Sequence, residues 1–165
     1  MTSITNQKKE SQDSENVSGQ VATVTTLPDV KSVRTTEELD HALMILDRHA
    51  TDLVASDVVR DGYLAHGHPH ALGFQHLSTM TSSRIKKRFP LFVREEPLYR
   101  ILWVQGRVIV GEELVKKYEA RKSGKVYDYT KAINKRFEKM FKELDTYKDL
   151  LLEIHYEDMR RASGN

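Results

Sequence analysis

The chain has 165 residues, 39% hydrophobic and 30% charged, with a net charge of +2 and no cysteine. That is the size of a single domain, and it excludes a disulfide framework, thiolate metal sites and a cysteine nucleophile. The small net charge conceals a division: residues 35–83 hold seven acids and two arginines, residues 84–142 hold seventeen Lys/Arg and seven acids, and residues 143–165 hold six acids and three cations. A basic centre between acidic flanks is the main electrostatic fact of the sequence.

The opening stretch MTSITNQKKESQDSENVSG has no apolar run of the kind that directs secretion. Its Glu10, Asp13 and Glu15 are unlike a mitochondrial presequence, so an intracellular protein of cytoplasm or nucleus is expected. No run approaches the roughly 20 apolar residues that span a bilayer, and no membrane association is expected. Residues 1–33, rich in Ser, Thr, Gln, Asn and Lys, bury too little to offset their ordering entropy and are expected to form a disordered tail. Within them VATVTTLPDV (21–30) reads as an extended linker stopped by Pro28, or as a strand able to add to a partner's sheet edge.

One α-rich domain is predicted over 34–161, with 162–165 as a second disordered end. Thr35-Thr36-Glu37-Glu38 has the form of a capping box, and Leu39, Leu43, Leu46, Ala50, Leu53, Val54 and Val58 follow at helical spacing until Asp61-Gly62. The stretch LAHGHPHALGFQH (64–76) then brings His66, His68, His70 and His76 together, broken by Gly67, Pro69 and Gly73. If extended, His66, His68 and His70 would project to one side and could hold a metal ion, with Asp57 or Asp61 as an oxygen ligand. A solvated, pH-responsive connector is the competing reading. The His-x-His-x-Asp-His pattern of metallo-β-lactamases is not met, and the amidohydrolase barrel needs a longer chain.

A further helix is expected from about Pro69 or Gly73 through Phe74, Leu77, Met80 and Ile85. It ends in Arg84-Ile85-Lys86-Lys87-Arg88 before Pro90. After Pro97, LYRILWVQGRVIV is β-branched and aromatic on both sides of Gln105-Gly106, which predicts a short β-hairpin; a helix over 96–105 is the rival. The order helix, loop, helix with a basic end, then hairpin resembles a winged-helix arrangement over about 36–110. Gln105-Gly106-Arg107 would be the wing tip, and the resemblance implies contact with DNA or RNA. Glu112 and Glu113 would then open a helix running to Ser123, with Gly124 as its cap.

Asp128 or Thr130 caps a long C-terminal helix expected over 129–160, which contains no Gly or Pro. Ile133, Phe137, Met140, Leu144, Tyr147, Leu151 and Ile154 form a heptad stripe, with Phe141, Leu152, Met159 and Leu150 beside it. The arc is very roughly 160°, wider than one packed face requires. Either the helix lies at the centre of a bundle, or part of the arc docks a partner or a second copy through Phe137, Met140, Phe141, Leu144, Leu151 and Leu152. Arg84, Lys86, Lys87, Arg88, Lys116, Lys117, Lys135 and Arg136 are the candidates for an acidic partner or nucleic acid, if their clusters share a face. Arg160-Arg161-Ala162-Ser163 would suit a basophilic kinase.

No phosphate loop, GxGxxG or GxSxG is present, and no cofactor is implied. The sequence therefore predicts a mostly α protein with one short β-hairpin and a long C-terminal helix. Its expected role is that of a non-enzymatic interaction or assembly subunit. It would use the last helix for helix–helix contact and the basic centre for an acidic partner. The alternative is a winged-helix-like DNA- or RNA-binding module.

Overall fold

The computed structural model describes residues 26–94 and 96–164. They form six helices: α1 (Thr36–Ala55), α2 (Asp57–Ala65), α3 (Ala71–Arg88), α4 (Pro97–Lys122), α5 (Tyr129–Lys142) and α6 (Leu144–Ala162). Of the tail expected over 1–33, and of the linker or strand expected over 21–30, positions up to 25 lie outside the described residues. Beyond them a short 3-10 turn, Val30–Ser32, sets Val30 and Val33 into the core.

The predicted capping box starts α1. The Thr35 hydroxyl accepts from the Glu38 amide at 3.1 Å, and the Glu38 carboxylate accepts from the Thr35 amide at 3.2 Å. The helix ends earlier than expected, at Ser56, whose extended backbone (ψ 153°) breaks it from α2. Asp61-Gly62, expected as the stop, lies inside α2. Gly62 is there for space: a Cβ at this position would stand 2.2 Å from the Tyr118 ring.

The predicted hairpin is absent. Residues 98–110 belong to α4, a single helix of 26 residues, about 39 Å long. Six consecutive residues, Gly106 to Gly111, are all buried. Six residues turn through more than a full circle, so α4 is enclosed on every side over this stretch. An enclosed helix has no polar face and therefore no amphipathic period, which is why its branched residues look strand-like in sequence. Gly106 makes no turn. It is where α3 and α5 press against α4: an added Cβ would lie 2.6 Å from Thr81 Cγ2 and 2.9 Å from the Phe137 ring. With the hairpin goes the wing, and the winged-helix order is not realised. Glu112 and Glu113, expected in a first turn, sit in the middle of α4.

α1 and α4 run in the same direction. Asp40 pairs with Arg100 and, one heptad on, Asp47 pairs with Arg107, both across an offset of 60 residues. Gly111 then lets α4 approach Leu53 and the Ala50 carbonyl. The other helices surround the same rod. The α4 helix stops where predicted, at Ser123 and the left-handed Gly124 (φ 72°), and Asp128 caps α5 by accepting from the Lys131 amide at 3.1 Å.

The single long helix expected over 129–160 is divided at Glu143 into α5 and α6. No Gly or Pro causes this. Glu143 is held from elsewhere, by the Lys31 ammonium at 3.0 Å and by the Tyr147 hydroxyl at 3.1 Å.

Because α4 has no spare room at Gly106, Gly106→Val should cost about 1–3 kcal/mol through overpacking. Urea unfolding followed by circular dichroism checks this. An unchanged midpoint would show that α3 and α5 do not meet α4 there.

Candidate partner-binding surfaces

The basic run at the end of α3 neutralises the negative end of the helix dipole, and helical geometry then divides it between two sides. At about 100° per residue, Arg84, Lys87 and Arg88 fall within about 100° of arc, while Lys86 lies outside it. The first three border a groove of about 600 Å³ between α3 and α5, where Ser83, Asn134, Glu138, Phe137 and Phe141 complete the lining. Arg84 is fixed there. Its Nε donates to Asn134 Oδ1 at 2.9 Å, its Nη1 donates to the Met80 carbonyl at 3.0 Å, and its guanidinium stands 5.7 Å from the Phe137 ring centroid. Burial lowers the Arg84 pKa, the sign of a cation without a counter-charge. Lys131, Lys135 and Lys142 are exposed on α5 on the flank beside Asn134 and Glu138.

Three of the other predicted basic residues, Arg136, Lys116 and Lys117, are used within the fold. Arg136 turns toward α4 and pairs with Glu112 at 2.7 Å and Glu113 at 2.8 Å; Lys116 pairs with Glu113 at 3.3 Å. Lys117 stands 4.2 Å from the Tyr129 ring centroid. The basic centre is therefore divided among the α3–α5 groove, Lys86 on the other side of the α3 terminus, a neutralised network around Glu113, and a lysine on aromatic rings.

The six apolar residues expected to bind a partner divide in the same way. Phe137, Met140 and Phe141 are buried in the core, and Leu144 and Leu151 pack against it. Only Leu152 is outside, 55% exposed. It has two neighbours on the surface: Met159 at 56%, expected like Leu152 beside the stripe, and Tyr156 at 65%, for which the stripe gives no expectation. Positions 152, 156 and 159 fall within about 60° of arc, and the core-facing Tyr147, Leu150 and Ile154 occupy a similar arc about 180° away. Thus α6 is apolar on two opposite faces. The signal was present in the i, i+4, i+7 spacing of 152, 156 and 159, hidden because the stripe at 147, 151 and 154 was stronger.

The histidines are not gathered. His70 Nε2 lies 3.0 Å from the Val54 carbonyl, and the His66 and His68 rings stack at 6.5 Å on the surface. The charge of Arg121, then desolvation and Lys117, lowers the His66 pKa, so its surroundings disfavour a further cation. Among the described residues no group of three His, Asp or Glu is arranged to hold a metal ion. His76 serves the core, its Nδ1 meeting the buried Tyr63 hydroxyl at 2.6 Å. Likewise no described helix is long and apolar enough to cross a membrane.

Glu113, 1% exposed, fastens α5 and the preceding loop to α4. Burial by itself pushes its carboxyl up, but hydrogen bonds from Tyr127, Arg136 and Lys116 outweigh burial and leave the pKa lowered. Stability from this group is therefore complete above the ordinary carboxylate range and is lost as pH falls through the lowered value. Glu113→Gln should cost about 3 kcal/mol near neutral pH. It should also flatten the acid limb of stability against pH, measured by chemical unfolding across the range.

No protein-family model, curated protein or solved structure matches the chain.

Proposed function

We propose that this protein is a non-enzymatic interaction subunit. In this reading it pairs with a second copy through the outer face of α6 and holds an acidic protein segment in the α3–α5 groove. The observation that carries the reading is the second apolar face of α6, since exposed large hydrophobics aligned on one helix face mark a contact surface.

The charges beside that face favour an antiparallel second copy. Asp149 and Glu153 lie on one flank of Leu152 and Tyr156, and Arg160 lies on the same flank further along. In an antiparallel pair, same-flank positions meet. If Leu152 lies opposite Met159 of the second copy, Arg160 of that copy comes between Asp149 and Glu153. Arg160, now held by Glu157 on its own helix, is exposed and able to turn outward. One helix pair buries less than the roughly 1,200 Å² of a standard interface, so the dimer should be concentration-dependent.

For the groove, a rim of Arg84, Lys87 and Arg88 with the edges of two phenylalanines suits a segment that is both acidic and apolar. A nucleic acid would engage the same cations, but the wing that suggested it is a helix.

Light scattering from micromolar concentrations to about 0.5 mM tests the pairing. The mass should rise from the 19.1 kDa of one chain toward twice that value. Leu152→Asp with Tyr156→Asp should hold it at one chain without altering the helical spectrum. A monomer throughout, or a dimer indifferent to both substitutions, would overturn the proposal. In the same samples labelled poly-glutamate should bind more tightly than a single-stranded oligonucleotide of equal charge, and lose affinity at least tenfold in Lys87→Glu with Arg88→Glu. Tighter binding of the oligonucleotide would overturn the acidic-segment assignment.

A further inference from the structure

The other side of the α3 terminus carries a separate cleft. It lies between α3 and the start of α4, is closed by residues 89–94, and has a volume of about 590 Å³. That is within the range of small-molecule sites. Its walls are of three chemical kinds. Phe92, Tyr99 and Trp103 supply aromatic surface; Ser78 and Ser82 supply hydroxyls; Lys86 and Arg94 supply positive charge.

Two of the aromatic side chains are held in place. The Phe92 ring stacks on Phe89, with centroids 4.6 Å apart and planes 13° from parallel. Trp103 carries the Arg107 guanidinium 4.7 Å from its ring centroid, and Arg107 is anchored to Asp47 on α1. The aromatic surfaces are thus positioned by the fold before any ligand arrives. By contrast, Lys86 and Arg94 form no ion pair among the described residues. Fixed rings for stacking, hydroxyls for polar edges and two cations with no ion-pair partner among the described residues suit one kind of ligand: a planar ring bearing a multiply charged anionic group.

We infer that this cleft binds a nucleoside monophosphate, the base against Trp103, Tyr99 and Phe92 and the phosphate at Lys86 and Arg94. The assignment is independent of the pairing of α6 and of the groove on the opposite side of α3.

Trp103 is the sole tryptophan, so its emission reports on the cleft directly. Titration of the full chain with AMP, excited where the nucleotide does not absorb, should give saturable quenching. Lys86→Ala with Arg94→Ala should weaken the apparent affinity at least tenfold, and both side chains are exposed, so the fold should persist by circular dichroism. Adenosine should bind at least tenfold more weakly than AMP, and inorganic phosphate should fail to quench. Calorimetry on Trp103→Phe should retain AMP binding while the optical signal disappears. Absence of saturation below about 1 mM AMP, equal affinity for adenosine, or equal affinity in the doubly substituted variant would each overturn the inference.

Discussion

The structure depends on the enclosure of α4. Over Gly106 to Gly111 no side of this helix reaches water, and the remaining helices must cover it. Burial of that branched surface stabilises the fold at roughly 25 cal/mol per Å² removed from water, together with the core residues of the surrounding helices. The two glycines make the enclosure possible, because they remove side chains where Thr81 and Phe137 press in from one direction and Leu53 from another. Specific partners meet the charged groups that α4 carries inward: Asp47 pairs with Arg107 through Nη1, leaving the buried Arg107 Nε without a partner among the described residues, and Tyr127, Arg136 and Lys116 meet Glu113.

This arrangement decides what is left for the surface. Phe137, Met140 and Phe141 are consumed in covering α4, and the Glu113 network consumes Arg136 and Lys116. What remains outside is the α3 terminus, with a groove on one side and a cleft on the other, and the outer face of α6. The α3 terminus combines cations with aromatic edges on both sides, whereas α6 presents apolar side chains between charges of both signs. Binding on the outer face of α6 requires no rearrangement of the core, because the exposed Leu152, Tyr156 and Met159 are not part of it.

The sequence was readable where structure is local. The Thr35–Glu38 capping box, Gly124 after α4 and Asp128 before α5 each satisfy backbone groups within four residues, so their signals survive in isolation. It was unreadable where a partner distant in sequence decides. The hairpin expected at Gln105-Gly106 fails because enclosure by α1, α3 and α5 removes the helical period and makes a glycine useful inside a helix. At the break between α5 and α6, Glu143 meets Lys31, more than a hundred residues away, a contact that no local pattern announces. For the candidate sites, the basic run at 84–88 was found but its division between two sides was not. Of the apolar residues chosen on the last helix, Leu152 alone is outside, accompanied by Tyr156 and Met159. A stripe of heptads identifies a helix that packs, and which side faces its own core is settled only by the fold.

Backbone hydrogen exchange at low and high protein concentration tests the enclosure of α4 and the spare face of α6 together. Amides of residues 101–114 should exchange slowest at either concentration, without interruption at Gln105-Gly106. The α6 helix should gain protection only in the concentrated sample. Rapid exchange across Gln105-Gly106 would contradict the enclosure, and an α6 whose exchange ignores concentration would contradict the spare face.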